Sequence, residues 1–125
     1  RLAADGAAFA DGSFEALDAI VWCTGYRVEI PFDDAKERML VAAALEAFAC
    51  YDEGAIGSVA EANVGSIMGI GYPAWTGGAL QYINQYPGGM GGFVARADEL
   101  RARYGARFVV SEALRARAAD GSELV

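Results

Sequence analysis

Residues 62–95 carry no charged side chain at all, and nothing else in the chain constrains its fold as tightly. A neutral run of this length must either cross a membrane or bury most of its length against the rest of the protein. Its own punctuation argues for burial: nine of the chain's 16 glycines and two of its three prolines lie in it. Glycine and proline mark turns and close backbone approaches, so the segment reads as a system of short helices and tight loops, buried or facing an interface. The tail that follows is different in kind, since residues 96–125 carry six arginines and five acids.

Helix signals surround and subdivide the neutral run. From Asp33 the pattern turns helical, with Asp34 available to cap the first turn and Glu37 three residues on as a capping box. This helix is expected to run to about Glu53, with Gly54 just beyond its end. Between Met39 and Tyr51 its only charged residue is Glu46, so it is covered on more than one side, and its alanines allow close neighbours. Ser58 opens a second helix, completed as Ser-x-x-Glu by Glu61 and expected to end at Gly69. A loop around Pro73 follows over residues 70–77. A third helix is expected over about Gly78–Gln85, stopping before Pro87 and Gly88-Gly89. A fourth fits residues 92–104, with Phe93, Ala97, Leu100 and Tyr104 on one stripe, Arg96, Glu99 and Arg103 opposite, and Gly105 as the stop. Ser111 caps a last helix through about Ala119.

The first thirty residues read as β structure. Ala7-Ala8-Phe9-Ala10 is followed by the turn signal Asp11-Gly12. The run from Asp18 to Cys23 predicts a buried strand leaving through Thr24-Gly25, and Arg27–Ile30 alternates before Pro31. The chain therefore divides into a β-hairpin segment, residues 1–32, and a helical domain, residues 33–125. The fold class is mainly α: four to five helices preceded by a short β-hairpin.

Composition excludes several functions. Acids outnumber Lys and Arg 17 to 10, for a formal charge of −7. With no basic stripe, the chain is expected to bind neither nucleic acid nor an anionic membrane surface. It contains no histidine, which removes the usual neutral-pH acid–base group and the commonest zinc ligand. Cys23 and Cys50 lack metal-ligand spacing and read as reduced, buried thiols of a cytoplasmic protein; Cys50, inside the first helix, is expected to be inert. No signal peptide and no membrane-spanning run are evident. A chain opening on Arg1 rather than Met is expected to come from something longer.

Two resemblances follow from particular motifs. Phe9-Ala-Asp-Gly-Ser13, Asp18–Tyr26 with its Thr24-Gly25-Tyr26 turn, and Ile30-Pro-Phe32 resemble the late Ala-Thr-Gly-Tyr region of flavin-containing monooxygenases, with Cys23 where that family has Ala. The likeness covers about residues 7–33, and the chain holds no Gly-x-Gly-x-x-Gly fingerprint.

The second resemblance spans about residues 35–121. It is carried by Glu37-Arg38, Glu46-Ala47, Glu53-Gly54, Ala62-Asn63-Val64-Gly65, Gly69-Ile-Gly-Tyr-Pro-Ala-Trp-Thr-Gly-Gly78 and Tyr82-Ile-Asn84. These resemble the helical C-terminal domain of 3-hydroxyacyl-CoA dehydrogenases, most closely the second, degenerate copy at the end of the multifunctional β-oxidation enzymes. In the loop itself, Gly69 and Gly71 permit a sharp helix exit, Pro73 rigidifies it, Trp75 is expected to act as a large buried apolar anchor, and Gly77-Gly78 lets the next helix start against a neighbour's backbone.

The dehydrogenase resemblance implies an oxidation of 3-hydroxyacyl-CoA by NAD in the parent enzyme, with NAD and a His–Glu dyad in a separate nucleotide-binding domain. No catalytic, cofactor-binding or metal-ligating residue is therefore assigned in this chain, and no cofactor is expected on it. The first copy of the domain begins its opening helix with Asn-Arg; Glu37-Arg38 stand there here, as in the degenerate copy. The implied partners are the nucleotide-binding domain or a second helical copy, and a homodimer is also expected from the apolar first helix. The resulting expectation is a non-catalytic structural and subunit-packing domain. The alternatives are a stand-alone oligomerisation or binding module and a flavin-dependent monooxygenase fragment. Asp33-Asp34 reads as a solvated cap rather than an acid–base pair, and Arg101, Arg103, Arg107, Arg115 and Arg117 as a solvated surface rather than a phosphate site.

Overall fold

The computed structural model describes residues 2–3, 6–16 and 33–125, with side chains for Ala7, 9–16 and 35–125. Three short strands open it: β1 (Leu2–Ala3), β2 (Gly6–Ala8) and β3 (Phe14–Ala16), antiparallel in the order β1-β2-β3. Ala8 pairs with Phe14. The turn between them is the expected one. Gly12 adopts φ +88°, and Asp11 Oδ1 accepts hydrogen bonds from the Ser13 amide (3.0 Å) and hydroxyl (2.7 Å). The expected strand at 18–23, the Thr24-Gly25-Tyr26 turn, Cys23, and the side chains of Asp33 and Asp34 lie outside the described residues.

Five α-helices follow: α1 (Asp33–Asp52), α2 (Val59–Ile70), α3 (Ala79–Asn84), α4 (Gly89–Tyr104) and α5 (Glu112–Asp120). The molecule is thus mainly α, with five helices after a small β element. Ser58 caps α2 by accepting from the Glu61 amide at 3.2 Å, while the Glu61 carboxylate reaches back to the Gly57 amide at 3.0 Å. Ser111 caps α5 by accepting from Leu114 N at 3.3 Å. Both helices also close on left-handed glycines, Gly71 (φ +69°) and Gly121 (φ +75°).

Three boundaries differ from expectation. α2 runs through Gly69 and stops at Gly71, because Gly71 takes the left-handed turn and Tyr72 N then donates to Ser66 O at 3.0 Å. α3 is shorter, since Gly78 (φ +114°) is its non-helical cap. α4 starts at Gly89 rather than residue 92. Left-handed Gly88 starts this helix earlier, and Gly92 lies so close to the Pro87 carbonyl that a Cβ there would come within 2.0 Å of it.

α3 is the hub, touching α1, α2 and α4, while α5 packs on α4. Ala79, Leu80, Tyr82 and Ile83 of α3 are all buried. Around them lie Val41, Ala44 and Phe48 of α1, Phe93, Ala97 and Leu100 of α4, and Leu114 of α5. Each fully buried Leu or Phe of this kind contributes roughly 1.5–3 kcal/mol relative to exposure. The stripe of α4 reads as expected except at its end, where Tyr104 is exposed and lies under the Arg38 guanidinium, 4.3 Å from ring centroid to Cζ. The chain's last residues are held down by Asn84. Its amide nitrogen donates to Leu124 O (2.8 Å), and its carbonyl accepts from Leu124 N (3.1 Å).

Candidate functional site

The neutral Gly–Pro–Trp junction between α2 and α3 is the place to look for chemistry, and its polar groups all turn inward. A helix N-terminus leaves its first amides without intrahelical partners. In α3 each of them is met by a side chain. Gly78 N donates to Thr76 Oγ1 at 3.1 Å, and Ala79 N to Ser66 Oγ at 3.0 Å. Leu80 N and Gln81 N both donate to Asn63 Oδ1 at 3.0 Å. Glycine is required at 78 for a second reason. A Cβ there would lie 2.4 Å from Asn63 Cα, so α2 and the start of α3 touch backbone to backbone. Asn63, Ser66 and Thr76 are therefore structural caps, lent to α3 mainly by α2.

Trp75 does not pin this junction. It is 67% exposed, whereas its neighbour Thr76 is fully buried. The two sit side by side in a single 3-10 turn, Ala74–Thr76, where successive side chains point about 120° apart. Only one of them can face the core, and the inward place goes to the hydroxyl that Gly78 N needs. Thr76 Oγ1 also donates to Pro73 O at 2.6 Å. Tyr72 supplies the buried aromatic instead, with its hydroxyl donating to Leu40 O at 3.0 Å. Cys50 corrects a second expectation. It is exposed on α1 rather than buried, because the core-facing positions there are Val41, Ala44, Leu45 and Phe48.

Trp75 instead lines a cleft of about 460 Å³ together with Glu37, Tyr82, Gln85, Tyr86 and Pro87. Tyr82, Tyr86 and Phe93 meet edge to face with centroids 5.6–6.3 Å apart. Glu37 Oε1 accepts from the Tyr86 hydroxyl at 2.5 Å, and its Oε2 from Arg96 Nε (3.1 Å) and Nη2 (2.6 Å). Arg96 Nη1 also reaches Glu99 at 2.8 Å. Gln85 Nε2 donates to the Thr76 carbonyl.

The electrostatics of this cluster are those of a lock. Burial, then the hydrogen bond to Glu37, pushes the Tyr86 phenol well above its ordinary range. Burial also raises Tyr82, with the Glu37 charge adding to it. The Glu37 and Glu99 carboxylates hold Arg96 still more firmly protonated. A neutral-pH acid or base needs a pKa near the operating pH, and the tyrosines and the arginine here are driven away from it. What the arrangement does is tie α1 to α4 and to the turn before it, with charge-assisted bonds of about 1.5–3 kcal/mol each when shielded.

Arg96 apart, the arginines of the tail do not line this cleft. Arg101, Arg103 and Arg107 are exposed. Arg115 donates to Asp98 at 2.5 and 2.8 Å, tying α5 to α4, and that pairing holds the Asp98 carboxyl below the usual range. Among the described residues, no three Cys, Asp or Glu side chains gather as a metal set would, and no helix is long and apolar enough to cross a membrane. Sequence reading did not anticipate the caps by Asn63 and Ser66, the inward Thr76, or the Asn84 clamp. Their residue types, all side-chain acceptors within a neutral run, were the available signal.

No family model matches the chain. Among curated proteins it is 39% identical over 93 residues to the fatty acid oxidation complex subunit alpha of Pseudomonas syringae pv. syringae, covering 74% of this chain and 12% of that protein. To the subunit of the same name from Pseudomonas aeruginosa it is 37% identical over 95 residues, 76% of this chain and 13% of the relative. For Vibrio parahaemolyticus the figures are 36% over 76 residues, 61% and 10%. The chain thus spans about one eighth of the length of the first two of these curated relatives. It is homologous, over 74% of its own length, to a segment of a fatty acid oxidation complex alpha subunit.

Proposed function

We propose that the helical part of this chain is a non-catalytic packing domain of a cytoplasmic β-oxidation 3-hydroxyacyl-CoA dehydrogenase. The parent reaction takes a 3-hydroxyacyl-CoA to the 3-oxoacyl-CoA and reduces NAD. In this reading NAD and the proton-transfer residues belong to a different domain, against which this one packs. The homology to fatty acid oxidation alpha subunits supports the pathway.

One observation carries the packing role: the polar side chains of the Gly–Pro–Trp junction are consumed inside the fold. Asn63, Ser66 and Thr76 cap α3, and both oxygens of Glu37 are held by Tyr86 and Arg96. A cleft whose polar groups are already satisfied has little left to offer a reacting carbonyl. The direct test is turnover: the purified chain, mixed with NAD and a series of 3-hydroxyacyl-CoA thioesters of differing length, produces no NADH above a heat-killed control. Measurable turnover overturns the reading.

A further inference from the structure

A furrow lies between α1 and α2. Two grooves adjoin in it, one of about 390 Å³ and one of about 320 Å³, and Ala43 and Ile70 line both. The first is lined also by Met39, Leu40, Tyr72 and Pro73, with Lys36 as its one charged residue. The Tyr72 hydroxyl is already spent on Leu40 O at 3.0 Å, so it adds no free polar group. The second continues past Ala47, Ile56 and Ala62 to Cys50, and its charged residues are Glu46 and Glu61. From Lys36 to Cys50 the furrow follows α1 for about 21 Å along the helix axis. Lys36 makes no ion pair among the described residues; its ammonium lies 5.8 Å from the centre of the Trp75 ring. Glu37, beside it in the chain, gives its oxygens to Tyr86 and Arg96 instead.

We propose that this furrow binds one unesterified long-chain fatty acid, with its carboxylate at Lys36 and its methyl end toward Cys50. Two features select that chemistry. A long apolar furrow suits an unbranched hydrocarbon chain, which gains with every CH₂ taken out of water. A single unpaired cation at one end suits a single anionic head. The charges also fix the direction. At the near end the carboxylate meets an ammonium and no acid lines the groove, whereas at the far end it would lie beside Glu46 and Glu61. Like charges brought together in this way are strongly disfavoured. Ala43 and Ile70, common to both grooves, form the passage through which the chain must run, and Ala43 keeps it open by being small.

This inference goes beyond the packing role proposed above and does not depend on it. Its test is equilibrium dialysis of radiolabelled fatty acids against the full chain, below their aggregation concentrations, with circular dichroism as the control for folding. Palmitate binds saturably at one per chain. Affinity rises roughly two- to four-fold for each CH₂ added between octanoate and palmitate. K36E weakens palmitate by roughly ten-fold or more, since it sets like charges together, and K36M weakens it less. A43F, which fills the passage shared by the two grooves, leaves octanoate bound and removes the gain from longer chains. Palmitoyl-CoA does not displace palmitate, and the chain does not sediment with phosphatidylglycerol vesicles. The absence of saturable palmitate binding, an affinity that ignores chain length, or a K36E or A43F variant that binds palmitate as the parent does overturns the site. Displacement by palmitoyl-CoA, or sedimentation with the vesicles, overturns its assignment to the free acid. None of these outcomes touches the turnover assay, so failure here is distinguishable from failure of the packing role itself.

Discussion

At the scale of single residues, the junction shows how one position decides between similar chemistries. Gly78 and Gly65 lie in the same neutral run but have opposite prospects. At Gly78 (φ +114°) a Cβ would strike Asn63 Cα at 2.4 Å, whereas at Gly65 a Cβ meets nothing within 4 Å. Gly78→Ala is expected to cost more than about 4 kcal/mol or to prevent folding, because the obstruction is backbone. Gly65→Ala, inside α2, is expected to stabilise by roughly 0.5–1 kcal/mol. Denaturant titration of the pair checks both signs. Asn63→Ala removes one acceptor shared by two α3 amides and is expected to cost about 1–2 kcal/mol, the upper end of a lost N-cap. Little of this was readable beforehand. The glycines announced a close approach, but in a single 3-10 turn no periodicity separates Trp75 from Thr76. Size favoured the tryptophan as the buried one, and the need to satisfy Gly78 N decided otherwise.

At the scale of elements, legibility followed the capping chemistry. α2 and α5 open on serines at the expected places, because a serine acceptor three residues before an amide is a local device. The start of α4 was misplaced because Gly88 to Gly92 looks like a breaker, whereas its close contact with the Pro87 carbonyl requires a residue without a Cβ at 92. The lock joining α1 to α4 was invisible, since Glu37, Tyr86 and Arg96 are far apart in the chain. It has a signature in alkali. Burial raises the phenols of Tyr72 and Tyr86 in the folded state, while the unfolded chain ionises its tyrosines near pH 10. The folded state then holds protons that the unfolded state releases, so stability present below about pH 10 declines as pH climbs beyond it. Tyr86→Phe should flatten that alkaline decline in the denaturation midpoint. It should also lower stability at neutral pH by about 1 kcal/mol, because one Glu37 oxygen loses its donor.

At the scale of the whole molecule, the hydrophobic surface is divided between a core gathered on α3 and an outer rim that includes Met39, Met68, Ile70 and Trp75. The mainly helical class and the order of elements were legible in the pattern of caps and glycines, but the rim was not. A stripe of α1 that spares the core looks, in sequence, like one more covered face. Trp75 reports on the rim directly. In a Trp22→Phe background, its fluorescence is expected to be red-shifted and readily quenched by acrylamide, since the indole is 67% exposed. Blue-shifted, quencher-resistant emission from dilute protein would show the indole to be buried after all.

The loan of acceptors from α2 to α3 has a consequence for how the chain assembles. A six-residue helix cannot outlast its own nucleation cost in water, and α3 has no side chain of its own at its cap, Gly78. Its amides find partners only once Asn63 and Ser66 have been arrayed by a finished α2. The hub of the mature architecture therefore takes its first turn from α2, the template whose side chains satisfy it.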